Sequence, residues 1–169
     1  MFQYNFNFEG EGLGLWNVSK AEDFESMFKE SNVTEDLSNW KTGSATTMRE
    51  MFFGAEFFNS SLALWDVGKG TIRMDTTALE SSLITDVCSQ SFFFAVTDFS
   101  GMFYDNSIFE SDLSQWKVGA NSIAYMFAFC TRFDSDLSTW DVSAVTDFSE
   151  VFRGARSFNS PLNDWKVRQ

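Results

Sequence analysis

Apolar positions along this chain follow two alternating rhythms. Around each tryptophan the chain alternates, with a variable residue between the pairs Trp16/Val18, Trp40/Thr42, Trp65/Val67, Trp116/Val118, Trp140/Val142 and Trp165/Val167. A period of two predicts a short, half-buried strand. Serine or glycine follows at Ser19, Gly43, Gly68, Gly119 and Ser143, which is turn chemistry, and the spacing then changes. Phe24, Met27 and Phe28 recur as Met48, Met51 and Phe52, as Phe99, Met102 and Phe103, as Ile123, Met126 and Phe127, and as Phe148, Val151 and Phe152. Apolar residues at i, i+3 and i+4 predict a helix of about two turns, with Thr97-Asp98 and Thr146-Asp147 as caps. A polar return loop then carries a phenylalanine (Phe58, Phe109, Phe133, Phe158) and a leucine (Leu37, Leu62, Leu113, Leu137, Leu162) to the next tryptophan.

Both rhythms recur with the tryptophans, so the chain is a tandem repeat of about 25 residues. The gap between Trp65 and Trp116 spans two periods, which places a further unit there. Ser91 stands in its tryptophan column, with Phe93, Cys88 and Ile84 in the neighbouring columns. A lone unit has nothing to bury against, whereas stacked units bury a continuous core. The expected architecture is therefore an α/β, right-handed solenoid of about seven coils of roughly 24–26 residues, each a short parallel strand plus a short helix. Residues 1–169 form one domain. Within it 1–15 read as an N-terminal capping strand (Phe2, Tyr4, Phe6, Phe8) followed by a glycine-rich turn (Gly10, Gly12, Gly14), and 16–169 as tandem repeats, irregular at 68–90.

The run from Met51 through Phe52, Ala55, Phe58, Leu62 and Trp65 to Val67, and the run from Asp136 to Phe148, carry a resemblance to a known family. The pattern resembles the bacterial surface-protein repeat of the BspA-like type, known from mycoplasma and listeria lipoproteins and widespread in marine microalgae. The resemblance covers nearly the whole chain and is weakest at residues 1–12 and about 68–90. It implies a leucine-rich-repeat-like solenoid used for adhesion or protein binding, without enzymatic activity. The chain departs from the pattern before the column leucine, where the family's aspartate is present as Asp36, Asp112 and Asp136 but replaced by Ser61 and Pro161.

Composition sharpens the functional side. Twenty-one phenylalanines against three tyrosines call for an aromatic core. A net charge of −12 repels nucleic-acid phosphate and anionic headgroups and favours partners with basic or apolar contact surfaces. No apolar run is long enough to span a bilayer, and no signal-peptide pattern opens the chain, so the location stays open between the cell surface or exterior and the inside of an organelle as part of a complex. The two cysteines, Cys88 and Cys130, stand in non-equivalent columns and read as buried small hydrophobes.

Catalytic chemistry finds little purchase. Histidine is absent, which removes the commonest general base and metal ligand. Gly10, Gly12 and Gly14 lack the lysine of a phosphate loop. Asp134 with Asp136, or Glu35 with Asp36, could offer oxygens to calcium, but the acids persist in no one column and read as solvated turn residues. The expectation is a non-enzyme with neither cofactor nor metal. A carbohydrate-active enzyme with paired acids is a distant alternative.

The column just after tryptophan is the candidate binding strip, because on a strand it points away from the tryptophan face. It reads Asn17, Lys41, Asp66, Phe92, Lys117, Asp141 and Lys166, and Val167 adds an apolar group on the last, uncovered coil, which a partner or further sequence would cap. The function expected is a protein-binding scaffold or linker module in a larger assembly, with a cell-surface adhesin module of a secreted or lipid-anchored protein as the alternative.

Overall fold

The computed structural model describes residues 1–67 and 96–167. In it the chain winds into stacked coils that begin at Trp16, Trp40, Trp65, Trp116 and Trp140, but the expected α/β solenoid of strands and helices does not form. Among the described residues the helical content is a single 3₁₀ turn at Leu13–Leu15, and strand pairing is confined to isolated parallel bridges. None of the described helices is long and apolar enough to cross a membrane.

Where helices were expected, each coil makes a run of β-turns. Met27, Lys29 and Ser31 donate their amides to the carbonyls of Phe24, Ser26 and Phe28, each at 3.2 Å, and each bond closes a four-residue turn. The alternate amides leave the coil. Those of Phe24, Ser26, Phe28 and Glu30 donate to the carbonyls of Thr47, Arg49, Met51 and Phe53 in the next coil, at 3.2, 2.9, 2.9 and 2.7 Å. The same arrangement joins Met48 through Gly54 to 98–104, Phe99 through Asp105 to 122–128, and Ile123 through Phe129 to 147–153.

Two left-handed residues per run enforce this pattern: Ser26 and Glu30 (φ 53 and 50), then Glu50 and Gly54, Gly101 and Asp105, Tyr125 and Phe129, Glu150 and Gly154. A positive φ at the third residue of a turn stops helix propagation. For the residues with a side chain it costs on the order of 1–3 kcal/mol each, offset by the bonds to the neighbouring coil. Physics favours turns over the expected helix. A two-turn helix is too short to repay its nucleation, and it would use its amides internally, leaving fewer to bond the next coil. The i, i+3, i+4 spacing is satisfied either way, since Phe24, Met27 and Phe28 all point inward and are buried.

The expected strand position also shifts. Parallel bridges join Asp23 to Thr47, Thr47 to Asp98, Asp98 to Ser122 and Ser122 to Asp147, at the start of each turn run and not at the tryptophans. Near the tryptophans the alternation survives as burial: Trp40 and Thr42, Trp65 and Val67, Trp116 and Val118, Trp140 and Val142 are buried. Side chains hold this edge together. Each indole Nε1 donates to the carbonyl of the column leucine one coil back: Trp40 to Leu13 (2.8 Å), Trp65 to Leu37 (3.0 Å), Trp116 to Leu62 (2.8 Å), Trp140 to Leu113 (3.1 Å) and Trp165 to Leu137 (2.9 Å). Buried serines supply a second ladder, in which Ser60, Ser111 and Ser135 accept the amides of Leu37, Leu62 and Leu113 from the coil before. Between these edges runs an aromatic spine, Phe28–Phe52–Phe103–Phe127–Phe152, with rings stacked at 5.6–5.9 Å.

Two further expectations are revised. The unit assigned to Ser91, Phe93, Cys88 and Ile84 lies outside the described residues, yet the coils on either side of it meet directly. Phe52 stacks on Phe103 at 5.9 Å, Thr47 bridges Asp98, and the Trp116 indole reaches Leu62. Val96 therefore takes the buried place that Ala45 and Val145 hold in their coils and continues the coil begun by Trp65. Residues 1–8 are turns, not a capping strand. Phe2 and Tyr4 donate to Met27 and Lys29, Tyr4 is left-handed at a φ of 57 as Glu30 is one coil on at 50, and Phe2 stacks on Phe28 at 5.8 Å. The aromatic alternation there matches a turn run as well as it matches a strand.

Candidate binding faces

Stacking turns every column of the repeat into a line of side chains. In the column after tryptophan, Lys41, Asp66, Lys117, Asp141 and Lys166 are all exposed, as is Asn17. Because the Trp65 coil meets the Trp116 coil, Asp66 is followed by Lys117, and the strip alternates strictly in sign. Lys41, Lys117 and Lys166 form no ion pair among the described residues. The Asp141 carboxylate accepts the Ser143 amide at 3.0 Å, and the backbone carbonyl of Asp66 accepts the Thr42 hydroxyl of the neighbouring coil at 3.1 Å. Phe92, expected at the centre of the strip, lies outside the described residues. Val167 is 54% exposed, at the edge of a coil whose Phe152, Phe158 and Leu162 are only partly buried.

Of the acids considered for calcium, Asp36, Asp134 and Asp136 accept hydrogen bonds within the chain. Asp134 accepts the Asn159 amide (2.9 Å) and the Ser160 hydroxyl (3.1 Å), while Asp136 accepts the Ser138 amide (2.9 Å). Asp36 accepts the Ser38 amide and the Ser60 hydroxyl, and the Ser38 bonds, more than that from Ser60, hold its carboxyl below the usual carboxylate range. Among the described residues no three acidic or cysteine side chains come together as a metal site. A shallow groove of about 390 Å³ runs past Asp36, Asn59 and the exposed Phe57. Cys130 is buried, with its thiol donating to the Phe103 carbonyl at 2.9 Å and pushed up to about 12 by burial, which leaves it unreactive.

A second face was not legible in the sequence. On the outside of the turn runs, Phe53 stacks on Tyr104 (ring centroids 4.4 Å apart, planes at 8°), and Tyr104 meets Phe129 edge-on at 5.5 Å and Tyr125 at 6.4 Å. These rings form a partly exposed ledge across neighbouring coils, with Tyr125 40% exposed. A cation closes each end. The Lys29 ammonium lies 4.3 Å above Phe53 and pairs with Glu50 at 2.7 Å, while the Arg153 guanidinium lies 5.4 Å from Phe129 and pairs with Glu150 at 2.6 Å. Phe129 lies against Gly154, where a Cβ would come within 2.8 Å of the ring. No column signals the ledge, because its rings come from three different positions of the turn run, each occupied by charged or small residues in other coils.

No curated protein and no solved structure matches the chain. A family model matches it twice, over residues 1–91 and 84–169, so the two matches together span its whole length. The chain belongs to the family described as Mycoplasma protein of unknown function, DUF285.

Proposed function

We propose that this chain is a non-enzymatic module that binds other proteins, as a scaffold or linker in a larger assembly. The observation that carries this reading is the column after tryptophan: Lys41, Asp66, Lys117, Asp141 and Lys166 stand outward in line, alternating in sign, on a stack whose buried core keeps their spacing fixed. A fixed series of charges discriminates partners by pattern more than by overall attraction, since like charges brought together are costly. The exposed Val167 adds apolar contact to the same proposal. The net charge of −12 favours a partner that brings basic or apolar groups.

The test uses a partner isolated by cross-linking in the native source and then purified. Reversing Lys41→Glu together with Lys117→Glu should weaken its affinity at least about tenfold, as expected for opposed charges at a rim, with the circular-dichroism spectrum unchanged. Unaltered affinity would remove the strip from the interface. A partner residing on another cell's surface would make the same module an adhesin.

A further inference from the structure

The ledge on the turn face shows how this chain binds cations. At each end an aromatic ring and a glutamate together hold a basic side chain, Lys29 between Phe53 and Glu50, and Arg153 between Phe129 and Glu150. The middle of the ledge offers the same two components; the Arg153 guanidinium comes within electrostatic range of Tyr104 and Tyr125, but its ring contact and its ion pair are with Phe129 and Glu150. Tyr104 and Tyr125 present their rings there. Asp105, next to Tyr104, is exposed and stands beside Phe129, because its amide bonds to Ala128 one coil on (2.9 Å). Neither Asp105 nor Glu30 takes part in an ion pair among the described residues.

We infer that this ledge docks an extended, arginine-bearing segment of a partner protein, with a guanidinium seated over Tyr104 and Tyr125 and paired to Asp105. This deepens the reading of the chain as a protein-binding module and rests on it. Arginine is favoured over lysine because a planar guanidinium stacks on a ring and pairs with a carboxylate in one pose, as Arg153 already does within the chain. An extended segment is favoured by length. The ledge and its end cations run over the coils from Lys29 to Arg153, roughly 20 Å at the usual spacing of paired strands, which about six extended residues would cover. Aromatic rings at the centre with charges at the rim also match the anatomy of a protein contact, in which Tyr, Phe and Arg carry the core. The acidic balance of the chain draws a basic segment in.

The experiment titrates the 169-residue chain with a fluorescein-labelled heptapeptide of glycine and serine carrying two arginines, and with the same peptide carrying two lysines or two glutamates. The arginine peptide should bind, the lysine peptide should bind about threefold to tenfold more weakly, and the glutamate peptide should not bind. Amide shifts in ¹⁵N spectra should concentrate at 104–105 and 125–129. Tyr125→Asn, chosen because asparagine tolerates the left-handed φ of 57, and Asp105→Asn should each weaken the arginine peptide about threefold or more. Should the arginine and lysine peptides bind alike, with affinity unmoved by either variant and shifts spread over the acidic surface, only the net charge is acting and the inference fails. The Lys41→Glu, Lys117→Glu chain separates the two readings. Loss of the native partner in that variant, with ledge variants behaving as wild type, overturns the ledge and keeps the module. A native partner indifferent to both faces, with no peptide bound, overturns both.

Discussion

The tryptophan edge and the turn edge solve the same problem, joining one coil to the next, by opposite means. At the tryptophans the joining bonds come from side chains: the indole of Trp116 donates to the Leu62 carbonyl, and the hydroxyl of Ser111 accepts from the Leu62 amide. Residue identity is then fixed, and tryptophan, leucine and serine return coil after coil. Along the turn runs the joining bonds are amide to carbonyl, as from Phe52 to Met102, and any residue supplies those. Side chains on the outside there are released to vary, which is how Lys29, Phe53, Tyr104 and Arg153 come to occupy equivalent places. Invariance marks what holds the stack, and variation marks where it can acquire a contact.

The strongest way to break this contrast is at the tryptophan edge. Trp116→Ala removes a buried ring and its bond to Leu62, and should lower stability by about 3–5 kcal/mol in denaturant melts. A loss under about 1 kcal/mol would show that the side-chain edge does not carry the stack. Next comes Ser111→Ala, which strands the buried Leu62 amide and should cost about 1–3 kcal/mol by the same measurement, whereas Ser160→Ala, bonded only to an exposed carboxylate, should cost far less. At the turn edge, Gly101→Ala should cost about 1–2 kcal/mol for conformation alone. The site has a φ of 62 and room for a Cβ, the nearest atom lying at 3.4 Å, so a loss well above that would mean side-chain packing matters there too. Smaller still is the effect of acid. Bonds from Ser38 and Ser114 hold the Asp36 and Asp112 carboxyls below the usual 3.8, and depressed folded values mean their contribution is present above that value and is lost as pH falls through the folded ones. Thermal melts should therefore drop slightly below about pH 4, and less in Asp36→Asn, whose amide oxygen still accepts the Ser38 bond.

The contrast also explains what the sequence revealed. Period, columns and the inward set were legible because burial is imposed by side-chain identity, and Trp40, Phe52 and Leu62 are buried where the pattern put them. Helix and turn run were not separable from Phe24, Met27 and Phe28, since both put those positions on one side. Left-handed Gly54, Gly101 and Gly154 were a usable signal, but Ser26, Glu30 and Tyr125 take the same conformation without announcing it. Serine before the column leucine, at Ser60, Ser111 and Ser135, recurs visibly and would have pointed to the second ladder. The strict sign alternation of the charged strip depended on which coils touch, and that is a fact of tertiary structure. The aromatic ledge gathers different columns, so no periodicity could reveal it.

The direct meeting of the Trp40 and Trp65 coils across residues 68–95 has a kinetic consequence. Most neighbouring coils pair residues about one repeat apart in sequence, but Thr47 pairs with Asp98, about twice that distance. Doubling the span of a closure adds only about 0.6 kcal/mol of chain entropy, so the seam costs little at equilibrium. It matters more for order of events, because short-range closures form first. The blocks on either side of the seam, 1–67 and 96–167, each hold their own local pairings, so short-range closure is open to each before Thr47 meets Asp98.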